Sequence, residues 1–405
     1  MSEPRVVIVD GVRTPFCRMG TLLASLPADE LGRVAVAALI ARTGLDPQLV
    51  DEVIFGCVCQ PAEAANVARV IALRAGIPQA VPAVTVHRNC ASGLEALTTA
   101  YERIAAGRGS IYVVGGTENM SQVPLLFSQR AAGKFAALGK VRTLGGKLAA
   151  IAAFRPADFK PRIGLMLGLS DPVSGLNMGE TAELLAREGG ITRAEQDQFA
   201  LESNQKAVAA RAKLADEICP VYRDGKAITE DNGPRPDTSV EALAKLKPVF
   251  DRRNGTVTAG NSSQITDGAV ALLVMTEEQA GKLGYRPLGR LVSYAAAGCD
   301  PARMGLGPVH AIRKLGRPLG EADVIEINEA FAAQVLAVLK QMPELPCDRL
   351  NVNGGSIALG HPVGASGARR VLTALHELRR RNARRALVSL CVGGGQGAAA
   401  WLERI

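Results

Sequence analysis

Four short stretches of this sequence carry residue types that can do acyl or proton chemistry. Cys90 sits in Asn89-Cys90-Ala91-Ser92-Gly93, after the apolar run Ala83-Val84-Thr85-Val86 and before a helical spacing of Leu94, Leu97, Tyr101 and Ile104. A cysteine at such a strand-to-helix turn meets free backbone N–H groups and the positive end of a helix, and both favour its thiolate. The same position also suits a small buried hydrophobe. His361, one of 4 histidines, lies between glycines in Gly360-His361-Pro362-Val363-Gly364. A nucleophilic cysteine needs a base or cation within hydrogen-bond reach. Cys391 precedes Gly393-Gly394-Gly395, where a second thiol can move a proton and backbone N–H groups can hold an oxyanion. The fourth stretch is Asn328-Glu329-Ala330-Phe331-Ala332. Each stretch alone also reads as a tight turn, a helix cap or a core cysteine. All four fall at predicted strand ends, where open α/β sheets bind ligands, and together they point to one site.

The elements that must position these residues alternate. Residues 5–10 read as a buried strand, 31–43 as a helix, 52–55 as a strand, 66–75 as a helix and 111–114 as a strand ending in glycines. That alternation predicts a βαβ layout with a mostly parallel sheet. The pattern breaks between Ser121 and about Phe250. A basic segment, 128–168, is followed by a helix at 179–188 and a long helix at 192–214, opened by the capping box Thr192-Arg193-Ala194-Glu195. Residues 231–238 read as a surface loop. The chain is expected to return to sheet at 256–259 and 269–275. The α/β pattern then repeats, with strands at 288–297, 324–327, 386–390 and 398–403 and helices at 307–315, 329–340 and 366–380. This predicts a duplicated α/β unit. Its first half is 1–120 with 251–275, its second half is 276–405, and 121–250 is a loop domain inserted into the first.

The composition fits a large packed core: 405 residues, 47% hydrophobic and 21% charged, with 43 glycines. The eight cysteines include no C-x-x-C pair, and Cys57-Val58-Cys59 is too close-set for a usual zinc knuckle. Scattered thiols in a long chain point to a reducing compartment. The first ten residues lead straight into a strand without a secretory apolar region, and no run approaches the roughly 20 apolar residues of a membrane span. A cytoplasmic protein is expected. The net charge of +8 suits nucleic acid, anionic lipid or a phosphorylated ligand. No helix-turn-helix, zinc finger or stacking-aromatic pattern supports nucleic acid. Between 128 and 168 eight basic residues, among them Arg130, Lys134, Arg142 and Lys147, face a single acid, Asp158. Phe135, Leu144, Leu148, Ile151 and Phe159 are interleaved, largely at spacings of three and four. The mixture suits an interfacial surface or a partner-docking face, although Gly133, Gly139 and Gly145-Gly146 are expected to interrupt any long helix.

Taken together the four stretches resemble the thiolase family of coenzyme A-dependent acyltransferases. The match runs from Val9-Asp10-Gly11-Val12-Arg13-Thr14-Pro15 to Cys391-Val392-Gly393-Gly394-Gly395-Gln396-Gly397. The resemblance implies an α/β chain with a five-layered αβαβα fold of two similar halves and an inserted loop domain. It implies that Cys90 is the acyl-accepting nucleophile and that His361 activates it and points to the thioester oxygen. Asn328 would position a water in that same oxyanion hole, and Cys391 would be the acid/base. The backbone N–H groups of Cys90 and Gly393 match a second oxyanion hole, Ser263 a pantetheine contact, and Met178 and Phe331 the apolar pocket. Coenzyme A and acyl-CoA are implied as substrates, with no permanently bound cofactor and no metal. A homodimer or homotetramer is implied, and segment 128–168 is a candidate contact for a β-oxidation partner or a membrane, or a lid whose basic residues meet the CoA phosphates. Three positions depart from the family pattern: Gln264 where glycine is common, Asn177 where some short-chain members have histidine, and His310 where proline is frequent. Those departures are expected to bear on acyl-chain preference and cofactor contacts. The expected activity is that of a 3-ketoacyl-CoA thiolase of fatty-acid β-oxidation. The alternative is an acetoacetyl-CoA thiolase that condenses two acetyl-CoA. A non-catalytic lipid carrier or scaffold would predict a degraded site. A decarboxylating ketosynthase lacks the second cysteine.

Overall fold

Strand order displays the duplication directly. The computed structural model describes residues 5–405. Its large sheet contains β1 (Val6–Arg13), β2 (Glu52–Gly56), β3 (Ala83–Val86), β4 (Ile111–Glu118), β5 (Thr266–Thr276), β6 (Gly289–Gly298), β7 (Val324–Ile327), β8 (Arg385–Val392) and β9 (Gln396–Glu403). The order is β7-β8-β9-β6-β1-β5-β4-β2-β3, with the short strand Cys17–Arg18 paired to β5. The seam is β1 against β6, where only Val7–Arg290 and Ile8–Gly289 pair. On one side of the seam β1 runs antiparallel to β5 and β5 to β4, while β4, β2 and β3 are parallel. On the other side β6 runs antiparallel to β9 and β9 to β8, while β8 and β7 are parallel. Leu350 makes a parallel bridge to Ile325 where the counterpart of β3 would lie. Even the irregularities repeat, with register shifts at Ile8/Asp10 in β1 and Leu291/Ser293 in β6. The sheet is therefore mixed rather than mostly parallel. Alternating strand and helix signals do not carry strand direction, and each half brings its last strand back antiparallel.

Helices cover both faces and build five layers. In the first half α1 (Ala28–Thr43) and α2 (Val67–Arg74) pack outside, against Val7, Val53, Phe55 and Leu273. In the second half α4 (Gly307–Leu315) and α5 (Ala332–Gln341) pack outside, against Ile325, Leu387 and Trp401. Between the sheet halves lie α3 (Ser92–Ala105) and α6 (Ser366–Arg380), in one core with Val6, Ile8, Leu272, Leu390 and Leu402. Neighbouring residues of one strand go to opposite cores, as a period of two requires. Burial on both faces explains unbroken apolar runs such as 269–275. Helices α3 and α6 cross at two glycines. A Cβ on Gly93 would stand 2.8 Å from the Ala368 nitrogen, and one on Gly367 2.5 Å from the Leu94 nitrogen. The crossing brings the two helix starts, and with them Cys90 and His361, to the same place.

Residues 119–265 lie outside the large sheet. Several expectations fail there and nearby. Residues 256–259 form no strand, because side chains take the place of a neighbouring strand: Glu183 accepts from the N–H groups of Thr256 and Val257, and Asn261 from that of Thr258. The chain rejoins the sheet at Thr266. The long helix is two, Arg193–Ala209 and Arg211–Ala215, with Ala210 between them. Conversely, a helix capped by Ser128 runs unbroken through Gly133 and Gly139, from Gln129 to Lys140. Helix α5 begins at Ala332, not Glu329, because Phe331 is extended and bridges to Ser262. No described helix is long and apolar enough to cross a membrane.

Candidate active site

Cys90, His361 and Cys391 reach the wall of one cavity of about 470 Å³. Each arrives from a different element. Cys90 ends the turn after β3, where Asn89 adopts a left-handed φ of 41° and its side chain donates to the Gly393 carbonyl at 2.7 Å. The Ser92 hydroxyl closes this turn, accepting from Arg88 N–H at 2.9 Å and donating to the Asn89 carbonyl at 2.7 Å. Cys391 is the penultimate residue of β8, paired with Gly397 of β9. The two strands are joined by Gly393-Gly394-Gly395, and Gly394 and Gly395 have positive φ. His361 sits on the loop between the short helix Ser356–Leu359 and α6. That loop presses on the end of β4: a Cβ on Gly116 would lie 2.0 Å from the Gly364 carbonyl oxygen.

Burial sets the electrostatics. It pushes the Cys90 thiol above its usual range, while the N–H groups of Gly393 and of Cys90 itself pull it back part of the way. These two N–H groups moderate the shift without giving a net fall, because desolvation of the thiolate outweighs them. Cys391 is fully buried, and burial followed by the charge of a Cys90 thiolate raises its thiol as well. Burial lowers His361 to about 3, helped by the positive charges of Arg370 and Arg369. The imidazole is thus neutral at pH 7. Its Nδ1 lies 2.6 Å from the Ser366 hydroxyl, which also lies 2.9 Å from the Pro362 carbonyl. A hydroxyl can accept from Nδ1 or donate to it, so this contact accommodates either neutral tautomer.

Asn328 follows β7 and is fully buried. It stands behind His361 rather than on the cavity wall, its Nδ2 3.4 Å from His361 Nε2. Ser263, Met178, Phe331 and Gly393 all line the cavity. Phe331 packs edge-on against Phe250, 6.1 Å between centroids. The three departures line none of it. Asn177 caps the helix Met178–Glu188, His310 is exposed on α4, and Gln264 donates to the carbonyls of Gly233, Ile357 and Ala358. Among the described residues no group of three or more His, Cys, Asp or Glu gathers as a metal site.

Residues 6–278 match the thiolase N-terminal domain and 285–404 the thiolase C-terminal domain. The chain belongs to the thiolase family. Acetyl-CoA acetyltransferase of Pseudomonas aeruginosa is 45% identical, over 98% of this chain and 99% of that one. A probable acetyl-CoA acyltransferase of Staphylococcus epidermidis is 42% identical, over 98% of each. Among solved structures, the acetyl-CoA acetyltransferase of Bacillus anthracis superposes with a TM-score of 0.90 at 39% identity, covering 100% of this chain and 99% of that one. Human mitochondrial 3-ketoacyl-CoA thiolase in complex with CoA gives 0.89 at 38%, covering 99% and 98%. The thiolase fold and an acyltransferase class follow, and the carrier alternative falls.

Sequence reasoning missed part of this thiolase's site. Glu118, at the end of β4, is fully buried and accepts from the N–H groups of Val58, Cys59 and Gly364 at 3.1, 2.8 and 2.8 Å. It ties the His361 loop to the end of β2, and burial raises its pKa despite these donors. A lone acid after Gly115-Gly116-Thr117 was the available signal. Leu165, Leu167, Leu169 and Val173 of the inserted region line the cavity with Met120 and Met304. Their pattern does not reveal which way the insertion folds.

Proposed function

We propose that this chain is a 3-ketoacyl-CoA thiolase that cleaves 3-oxoacyl-CoA thioesters with a second CoA, as in fatty-acid β-oxidation. One observation carries the reading: a predominantly aliphatic cavity with the thiols of Cys90 and Cys391 and a neutral histidine on its wall, Cys59 lining it as a third cysteine. In the proposed course His361 Nε2 takes the proton of Cys90, and the sulfur attacks the 3-keto carbon. The bond between C2 and C3 breaks, and its electron pair passes to acetyl-CoA as an enolate. His361, now protonated, and a water held by Asn328 would stabilise the enolate oxygen. The Cys391 thiol protonates C2, and acetyl-CoA leaves. The incoming CoA thiol gives its proton to Cys391, and its sulfur attacks the acyl-Cys90 carbonyl. The N–H groups of Cys90 and Gly393 would hold that oxyanion. Collapse releases the shortened acyl-CoA, and His361 returns its proton to Cys90. The order is ping-pong. Ser263 would meet the pantetheine arm, and Met178 and Phe331 the apolar part of the substrate.

Leu165, Leu167 and Val173, which line the cavity, would pack against an acyl tail longer than acetyl. The second reading, acetoacetyl-CoA thiolase, is favoured by the names of several relatives. Steady-state rates with CoA on C4 to C16 3-oxoacyl-CoAs decide between them. Highest kcat/KM on chains beyond C4 supports the first, and turnover confined to acetoacetyl-CoA supports the second. No turnover on any of them removes both.

The inserted region also offers a surface. Leu144, Leu148 and Ile151 are exposed on the helix Leu144–Ala152, with Arg142 and Lys147 beside them. Apolar residues flanked by cations fit an anionic lipid surface.

A further inference from the structure

We propose that Arg370 is a positioning residue: it fixes which end of the Asn328 amide faces His361, and so which ring nitrogen of His361 is free to accept a proton. The inference deepens the acyl-transfer reading above and rests on it. The two ends of an amide have nearly the same shape, and only hydrogen-bond partners decide between them. Arg370 Nη2 lies 2.7 Å from Asn328 Oδ1 and 2.8 Å from the Ser356 hydroxyl, and Ser356 donates to the same Oδ1 at 2.9 Å. An arginine has donors only, so the amide nitrogen cannot occupy that side. Asn328 Nδ2 is thereby turned toward His361 Nε2, at 3.4 Å. A donor there requires a lone pair on Nε2. Ser366, four residues before Arg370 on α6, meets Nδ1 with a hydroxyl that can accept from it or donate to it, so Ser366 follows the tautomer and does not choose it. The choice is left to the Arg370–Asn328 side of the ring.

Arg370 is itself pinned. Its Nη1 lies 2.9 Å from Glu326 Oε2, and Arg369 approaches the same oxygen at 3.4 Å. Glu326, Asn328, Ser356 and Arg370 are all fully buried. Arg370 is absent from the cavity wall and has no path to substrate. The competing account is that it only neutralises Glu326. That account leaves the histidine tautomer unmoved when Arg370 is replaced. Without Arg370, Asn328 Oδ1 keeps only the Ser356 hydroxyl, which can donate or accept and therefore does not discriminate between the amide ends.

The test labels the four histidines with ¹⁵N in the full-length protein and reads tautomers from the ring-nitrogen shifts. The wild type is expected to show His361 as the Nδ1–H form. In Arg370→Met the His361 signals should move toward the Nε2–H form. kcat should fall on the order of 10², with KM for the 3-oxoacyl-CoA changed by no more than about twofold. Arg370→Lys covers the possibility that the methionine variant does not fold. It keeps a charge against Glu326, but one nitrogen cannot serve Glu326 and Asn328 with the arginine fork's geometry. It should fold and still lose kcat by about tenfold or more, with a mixed tautomer. A folded variant of either kind with unchanged His361 signals, or with kcat within about twofold of wild type, overturns the inference. A wild type without acyl transfer removes the functional reading instead, and the nitrogen shifts still judge the role of Arg370.

Discussion

Cys90 and His361 share a cavity as neutral groups. The thiol stands above its ordinary range and the imidazole near 3, so moving the proton between them in the empty site is strongly unfavourable. In the proposed course Cys90 gives its proton to His361 only as its sulfur attacks the substrate carbonyl. A thiol pKa raised by burial leaves the thiol as the dominant form at pH 7. Iodoacetamide labelling of Cys90 should therefore climb about tenfold per pH unit through neutrality. A plateau between pH 6 and 8 would indicate a preformed ion pair and contradict this picture. Acetyl-CoA should leave an acyl adduct on the wild type, visible by intact mass, and none on Cys90→Ala. Cys391→Ala should still take the adduct while losing turnover on the order of 10² to 10⁴-fold, the range for loss of an acid/base. Near-normal turnover would move the proton-transfer role elsewhere.

At the scale of elements, the crossing of α3 and α6 sets the distance between the two halves of the site. A Cβ on Gly367 would meet the Leu94 nitrogen and Cα at 2.5 and 3.2 Å, and backbone cannot swing aside as a side chain can. Gly367→Ala should cost about 1–3 kcal/mol in denaturant unfolding and lower kcat as the helix starts separate. Unchanged stability would mean the helices part without penalty. The inserted helices are tied more loosely. Asp158 holds Lys134 at 2.5 Å, and Phe135, Phe154 and Phe159 form a small aromatic cluster. Leu144, Leu148 and Ile151 are left outside it. The protein should sediment with vesicles containing anionic lipid at low salt, and Leu144→Glu/Leu148→Glu should abolish that binding. Absence of sedimentation by the wild type would leave the basic residues to the phosphates of CoA. Light scattering of the same pair would reveal a second copy as the occupant.

The whole molecule ends its large sheet on β3, four residues whose outer edge no described strand covers. The opposite end, β7, is partly closed by Leu350. An open edge is a template for pairing, and a second copy related by a two-fold axis would continue the sheet. A homo-oligomer is expected. Light scattering at micromolar concentration should exceed the 42.4 kDa of one chain, and a monomer would leave that edge to some other cover.

What the sequence by itself determined was local. Strands and helices buried on their inner faces announced themselves by period, so β7, α4 and α6 appear at the residues their spacing predicts. Cys90, His361 and Cys391 were legible because reactive side chains need special turns, and glycines mark those turns. The tertiary structure decided whatever depends on neighbours distant in the chain. Strand direction was one such property, since a period of two is the same in both senses. The loop at 256–259 was another, since Glu183 and Asn261 replaced a strand partner. The direction of the Cys90 shift was a third, since desolvation sums over every element packed around the sulfur, and one of the N–H groups opposing it, that of Gly393, comes from the distant β8–β9 turn. Arg370 showed only as one basic residue on a helix. Its contact with Asn328, forty-two positions away, exists because α6 is buried against the end of β7.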